Sequence, residues 1–159
     1  MKEDCRRQVI NRLKGLTATL YNFTTDPTNL ANITDEDWTT VSGTGVRICS
    51  GANEIAQLHY DLGAVRTVLL VAKVGLWAST GTISFIFLFS LDGITWVTTS
   101  GLNQIQISGT SESVRYAQTV LVRARYIGAR ILNGTAGATM SAKFYEFAAL
   151  EFRDFIGTN

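Results

Sequence analysis

Apolar and polar positions alternate with a period of two along most of this chain, and that alternation predicts strands. Residues 19–23, 46–49, 55–62, 67–74, 83–91, 95–99, 104–107, 114–122, 125–132 and 139–152 all read this way. Breaks rich in glycine and hydroxyl side chains separate several of them, at 42–45, 50–53, 79–81, 108–113 and 133–138. Many short strands with regular turns predict an all-β, antiparallel sandwich or jelly roll. Residues 83–91 are the most informative. Phe85, Phe87, Phe89 and Leu91 fall on one face, Ile86 and Leu88 on the other. A strand apolar on both faces is expected to be covered by a second sheet on one side, and by a loop, a helix or another subunit on the other. Asp92-Gly93 follows it. A type I′ turn there, with positive φ at both residues, would return the chain at once. Trp96 is expected to pack into the sandwich.

The first residues follow a different period. From 2 to 16, Val9, Ile10, Leu13 and Leu16 fall on one side of a helix. Glu3 and Asp4 open it, Arg12 and Lys14 lie near its end, and Gly15 is a natural stop. Lys2, Arg6, Arg7, Arg12 and Lys14 against Glu3 and Asp4 give the segment a charge of 5 − 2 = +3. So short a helix is marginal by itself and must dock, on its own domain or on a neighbouring subunit. The chain therefore divides into a helical anchor at 1–16, with Val9, Ile10, Leu13 and Leu16 as its assembly face, and a β-sandwich domain at 17–159.

Composition narrows the function. At 159 residues the chain fits one domain with a core of its own. A net charge of +1 lacks the footprint of a nucleic-acid binder. Cys5 and Cys49 make neither a metal spacing nor a disulfide framework and are expected as free thiols. No signal peptide follows Met1, and no apolar run is long enough to span a bilayer, so a soluble protein made in the cytoplasm is expected. His59 is the single histidine and has no triad partner in view, so a packed or surface role is expected for it. No glycine-rich phosphate loop occurs. The expected protein is not an enzyme.

Five segments, read in order, resemble the discoidin-like, coagulation-factor type C family of galactose-binding-like jelly rolls. Asn32-Ile33-Thr34-Asp35-Glu36-Asp37-Trp38 is similar to its early acidic loop, and Tyr60-Asp61-Leu62-Gly63 to its Asp-Leu-Gly strand end. Ser90-Leu91-Asp92-Gly93-Ile94-Thr95-Trp96 matches its Ser-x-Asp-Gly-x-x-Trp segment, and Ala124-Arg125-Tyr126-Ile127-Gly128-Ala129-Arg130 its Ala-Arg-Tyr strand. Lys143-Phe144-Tyr145-Glu146-Phe147 sits where its closing strand carries a glutamate. The resemblance covers about residues 22–152 and leaves out the first segment. It implies a scaffold in which Asp61 and Arg125 cap or pair across strand ends. It also implies a structural calcium on Asp35, Asp37 and Glu146 with backbone carbonyls, although Glu36 stands where the family has glycine.

A sugar site needs an exposed aromatic face beside hydrogen-bonding side chains. Trp77 is the leading candidate, with Arg47 and Trp38 as companions. Two functions compete. The first is a virion structural protein, decorating a capsid or belonging to a neck or tail. Its partners would be other virion subunits and copies of itself, and a particle component reaches the outside without an export signal. The second is a carbohydrate-binding module that recognises a cell-surface glycan. Neither inserts into membrane nor binds nucleic acid.

Overall fold

Along residues 54–61 the side chains of Ala56, Leu58 and Tyr60 are buried while Gln57, His59 and Asp61 turn outward, and a similar alternation recurs in other described strands. The computed structural model describes residues 6–98 and 105–155. Among these residues nine strands follow one another: β1 (Arg6–Asn11), β2 (Thr19–Tyr21), β3 (Gly45–Ile48), β4 (Glu54–Ala78), β5 (Thr82–Ser90), β6 (Val97–Thr98), β7 (Ile105–Ser108), β8 (Ser113–Asn133) and β9 (Thr139–Phe155). A 3₁₀ turn at Leu30–Ile33 is the one helical element among the described residues. None of their helices is long and apolar enough to cross a membrane.

All described pairings are antiparallel, in the order β1-β9-β4-β8-β5-β6, with β2 on β4, β3 on β9 and β7 on β5. The expected all-β sandwich is present. Its long strands, however, run through both layers. Strands read from sequence as 55–62 and 67–74 are one, β4, and those read as 114–122 and 125–132 are one, β8. Their register slips between Asp61 and Arg66, where Gly63 has φ +76°, and again between Leu69 and Val71. A bulge bends and twists the strand that carries it. At the second slip the Thr119 hydroxyl accepts the Leu70 N–H at 3.0 Å, so the broken ladder leaves no orphaned donor there.

The front layer joins β2, residues 54–61 of β4, residues 126–133 of β8, and β5 with β6 and β7. The back layer joins β1 and β3 to β9, residues 66–78 of β4 and residues 113–124 of β8. Phe87 and Tyr60 from the front meet Phe147 from the back, each with ring centres 5.6 Å apart. Phe85 sits edge-on to Phe87 at 5.2 Å. Burying such aromatic side chains dominates core energetics.

The expected N-terminal helix is absent. Residues 6–11 form β1, with Arg6 opposite Phe155 and Asn11 opposite Leu150, while residues 1–5 lie outside the described part. Val9, Ile10, Leu13 and Leu16 therefore share no helical face. Val9 is 52% exposed on the strand, Leu13 is in the core, and Leu16 packs against it after the turn at Gly15. Sheet pairing overrode a local helical period.

The Asp92-Gly93 turn also departs from expectation. Gly93 has φ +77° but Asp92 is not in that region. The Asp92 carboxylate instead accepts the N–H groups of Ile94 and Thr95, both at 2.8 Å, and the Ser90 hydroxyl at 2.9 Å. The chain then makes a longer loop before Val97 rejoins Phe89. Ile86 and Leu88, on the outer face of β5, are nonetheless buried.

Candidate functional site

Trp77 leaves the back layer near the turn into β5. Its neighbours in β4, Leu76 and Ala78, face the core, so alternation turns the indole outward, opposite Ser141 of β9. There it forms one wall of an open cleft of about 280 Å³ with Ser79, Thr110, Thr139 and Ser141. The cleft thus combines one aromatic surface with four hydroxyl side chains. Its floor is fixed by local hydrogen bonds: the Thr139 N–H donates to the Ser79 hydroxyl, and the Ser79 N–H to the Thr139 carbonyl.

The cleft continues as a platform across the outer face of the back layer. The Lys143 ammonium lies 5.6 Å from the centre of the Trp77 ring and donates to Glu112 at 3.0 Å. The Tyr145 hydroxyl donates to the other Glu112 oxygen, also at 3.0 Å. This carboxylate can lie flat on the sheet because residue 75 is glycine. A Cβ there would come 2.1 Å from Glu112 Oε1. Lys73 stands over Tyr145, 4.6 Å from its ring, and donates to the Trp38 carbonyl at 2.7 Å. Tyr116 stacks on Trp38 with centroids 6.3 Å apart. Trp77 and Trp38 therefore mark the two ends of one aromatic platform. Arg47 does not belong to it. It pairs with Glu54 and sits opposite Met140, which faces the core, whereas Trp77 sits opposite the next residue, Ser141. Consecutive positions of β9 present opposite faces.

The acidic loop packs beneath β9. Glu36 has φ +67°, adopting the left-handed backbone that glycine takes more readily. Its N–H donates to Glu146 Oε2 at 3.1 Å. Glu146 is 1% exposed, and its Oε1 has no hydrogen-bond partner. Burial, then the nearby Asp35 carboxylate, push Glu146 up to about 8. Asp37 turns away: its Oδ1 accepts the Thr39 N–H and hydroxyl, which hold its carboxyl below the usual range. Among the described residues no three acidic, histidine or cysteine side chains converge as a metal set. The orphaned oxygen of Glu146 beside Asp35 fits a hard cation, but Asp37 does not join them.

Sequence reasoning missed a second aromatic cluster. Tyr21, His59 and Trp96 form a column on the front layer, with ring centres 4.4 Å and 4.0 Å apart. Trp96 thus lies outside the sandwich rather than within it. The outward alternation of Gln57, His59 and Asp61 was visible in sequence, but the pairing of β2 with β4 that brings Tyr21 alongside was not.

No known family profile matches the sequence, and no curated protein does. Solved structures do match. The chain is similar to a selenomethionine-labelled variant of chitosan-binding module 1 from a chitosanase/glucanase of Paenibacillus sp. IK-5. That match has 17% identity over 90% of this chain and 99% of that one, with a TM-score of 0.56. Chitosan-binding module 2 of the same enzyme, solved with chitotriose, matches at 14% identity over 87% and 98%, with a TM-score of 0.53. CpGH89CBM32-5 of Clostridium perfringens, solved with GalNAc-β-1,3-galactose, matches at 13% over 88% and 99%, with a TM-score of 0.52. These likenesses establish a shared jelly-roll fold.

Proposed function

We propose that this chain is a non-catalytic carbohydrate-binding module whose glycan stacks on Trp77. The observation that carries the reading is the Trp77 cleft. An indole face suits the apolar face of a sugar ring, and the hydroxyls of Ser79, Thr110, Thr139 and Ser141 suit its alcohol groups. The platform from Lys143 to Tyr116 would continue the contact to further rings of a chain. The structural neighbours support it, since those compared are carbohydrate-binding modules. The virion role took an amphipathic helix at 2–16 as its anchor, and β1 at 6–11 with the buried Leu13 removes that anchor.

Calcium has a place in this reading. Asp35 and Glu146, with backbone carbonyls, would hold the ion and so tie the acidic loop to β9. Its chemistry there would be structural, neutralising the buried Glu146.

Binding to a glycan array, followed by calorimetry on the best ligand, tests the main reading. Trp77→Ala should weaken binding at least about tenfold while the far-ultraviolet circular dichroism stays that of the parent. A parent that binds no glycan, or a variant that binds as well, would overturn it.

A further inference from the structure

The aromatic column on the front layer borders a cavity of its own. Thr19, Tyr21, His59, Asp61, Asp92, Gly93, Trp96 and Tyr126 contribute to an open cleft of about 260 Å³. Two glycines shape it. Gly128 stands opposite His59, and a Cβ there would come 2.8 Å from the imidazole Cδ2, so its absence lets the ring lie against the sheet. Gly93 backs onto the Tyr126 ring, which would be 3.2 Å from an added Cβ. Trp96 then closes over His59 because the Asp92 carboxylate folds residues 90–95 around itself.

The polar groups of this cleft are already oriented. Arg125 grips both oxygens of Asp61, at 3.0 Å each, and lies 4.9 Å from the Tyr126 ring, so that ion pair closes on itself. Asp92 is held at about 2 by its backbone donors, and is therefore ionised at any working pH. The Ser90 hydroxyl and the N–H groups of Ile94 and Thr95 all donate to Oδ1, and none of the three uses Oδ2. Tyr21 is 44% exposed and Trp96 partly so. No unpaired cation lines the cleft among the described residues.

We infer that this cleft is a second carbohydrate site, formed by Tyr21, Trp96, Tyr126 and Asp92, that takes a single uncharged pyranose ring. Aromatic edges and faces suit the apolar side of the sugar, and the fixed carboxylate accepts from its hydroxyls. An anionic sugar would meet the Asp92 carboxylate with no cation in the lining, since Arg130, whose charge reaches His59, lies outside it. The inference goes beyond the Trp77 reading and stands independently of it. The two sites occupy opposite layers and opposite ends of the sandwich. Seven residue steps along β5 lead from Ile83 at one end to Ser90 at the other, which is about 23 Å of strand. A disaccharide cannot reach both, so one chain can hold two glycans at once.

The indole N–H resonances of Trp38, Trp77 and Trp96 test this directly. The ¹⁵N-labelled full chain would be titrated with galactose, glucose, N-acetylglucosamine and glucuronate, each to about 0.1 M, since single rings bind in the millimolar range. The Trp96 resonance should shift saturably with at least one neutral sugar and at least about tenfold less readily with glucuronate. Tyr21→Ala should weaken that response about tenfold and leave the Trp77 resonance and the bulk amide spectrum in place. Trp77→Ala should leave the Trp96 response intact. A Trp96 resonance that none of the neutral sugars moves would overturn the second site, whatever Trp77 does. Equal shifts with glucuronate would overturn the assignment of an uncharged ligand.

Discussion

Replacing Gly128 by alanine should unfold this protein at a markedly lower temperature and break the Tyr21–His59–Trp96 column. Gly128 has an ordinary backbone angle, so the cost is steric. The new methyl would stand 2.4 Å from the Leu58 carbonyl oxygen and 2.8 Å from His59 Cδ2. The imidazole can rotate away, but the carbonyl belongs to β4 and moves only if the β4–β8 ladder opens. Overpacking of this kind costs about 1–3 kcal/mol, a weakened ladder hydrogen bond about 1 kcal/mol, and loss of the aromatic contacts about 1 kcal/mol. The reduced freedom of the unfolded chain returns about 0.4–1 kcal/mol. The net is about 3 kcal/mol, which lowers Tm by roughly 6–12 °C in a chain of this size. Thermal melts followed by near-ultraviolet circular dichroism measure both effects. Gly134→Ala is the control, because the nearest atom to its Cβ is 3.5 Å away. If Gly128→Ala melted within about 2 °C of the parent with an unchanged aromatic spectrum, the steric reasoning would be wrong.

Other expectations follow from the buried and capped titratable groups. His59 is held down at about 4 by burial and then by Arg130, below its ordinary 6.5. The stability this represents is present above pH 6.5 and lost as pH falls through 4. Allowing for partial solvent contact it is about 2 kcal/mol, and His59→Gln should flatten that acid limb in denaturant titrations. Glu146 runs the other way. Its folded value of about 8 lies above the ordinary 4.5, so its contribution is full below pH 4.5 and is lost as pH rises through 8. Calcium-free melts of the parent should fall between pH 6 and 9, calcium should reverse the fall, and Glu146→Gln should remove both responses. A calcium-insensitive parent at pH 9 would argue against the ion. Asp61→Asn should change chemical stability by less than about 1 kcal/mol, because the pair with Arg125 is solvent-exposed; a larger loss would show that the pair supports the bend at Gly63.

The strands were legible where one face is buried, and the reason is visible in β5. Phe87 meets Phe147 with Phe85 edge-on beside it in the core, while Ile86 and Leu88 point outward and are still covered. Its apolar run could only belong to a strand enclosed on both sides. Asp61-Leu62-Gly63 looked like the end of a strand because glycine and aspartate usually mark turns. Here they mark a bend inside β4, and a single sequence does not distinguish stopping from bending. The N-terminal error has the same origin. Val9, Ile10, Leu13 and Leu16 satisfy a helical period by chance, and the partner that decides the matter, Phe152 opposite Val9, is far away in sequence. The candidate site was half legible. Trp77 could be singled out as an aromatic residue beside a hydroxyl-rich break. The face it shares with Lys143, Glu112 and Tyr145 depends on which strands flank β4, and Arg47 was misplaced for the same reason.

Because β4 and β8 each contribute one half to the front layer and one to the back, neither layer has a complete set of strands without the other. A chain that has formed only one sheet has therefore also positioned half of the next. Partial structures offer little shelter for apolar surface, and loop-closure entropy must be met early, since β1 waits for β9. Refolding should accordingly be slow for the chain length, in milliseconds to seconds, and all-or-none. The Trp77 platform on one side and the Tyr21–His59–Trp96 column on the other should appear together or not at all.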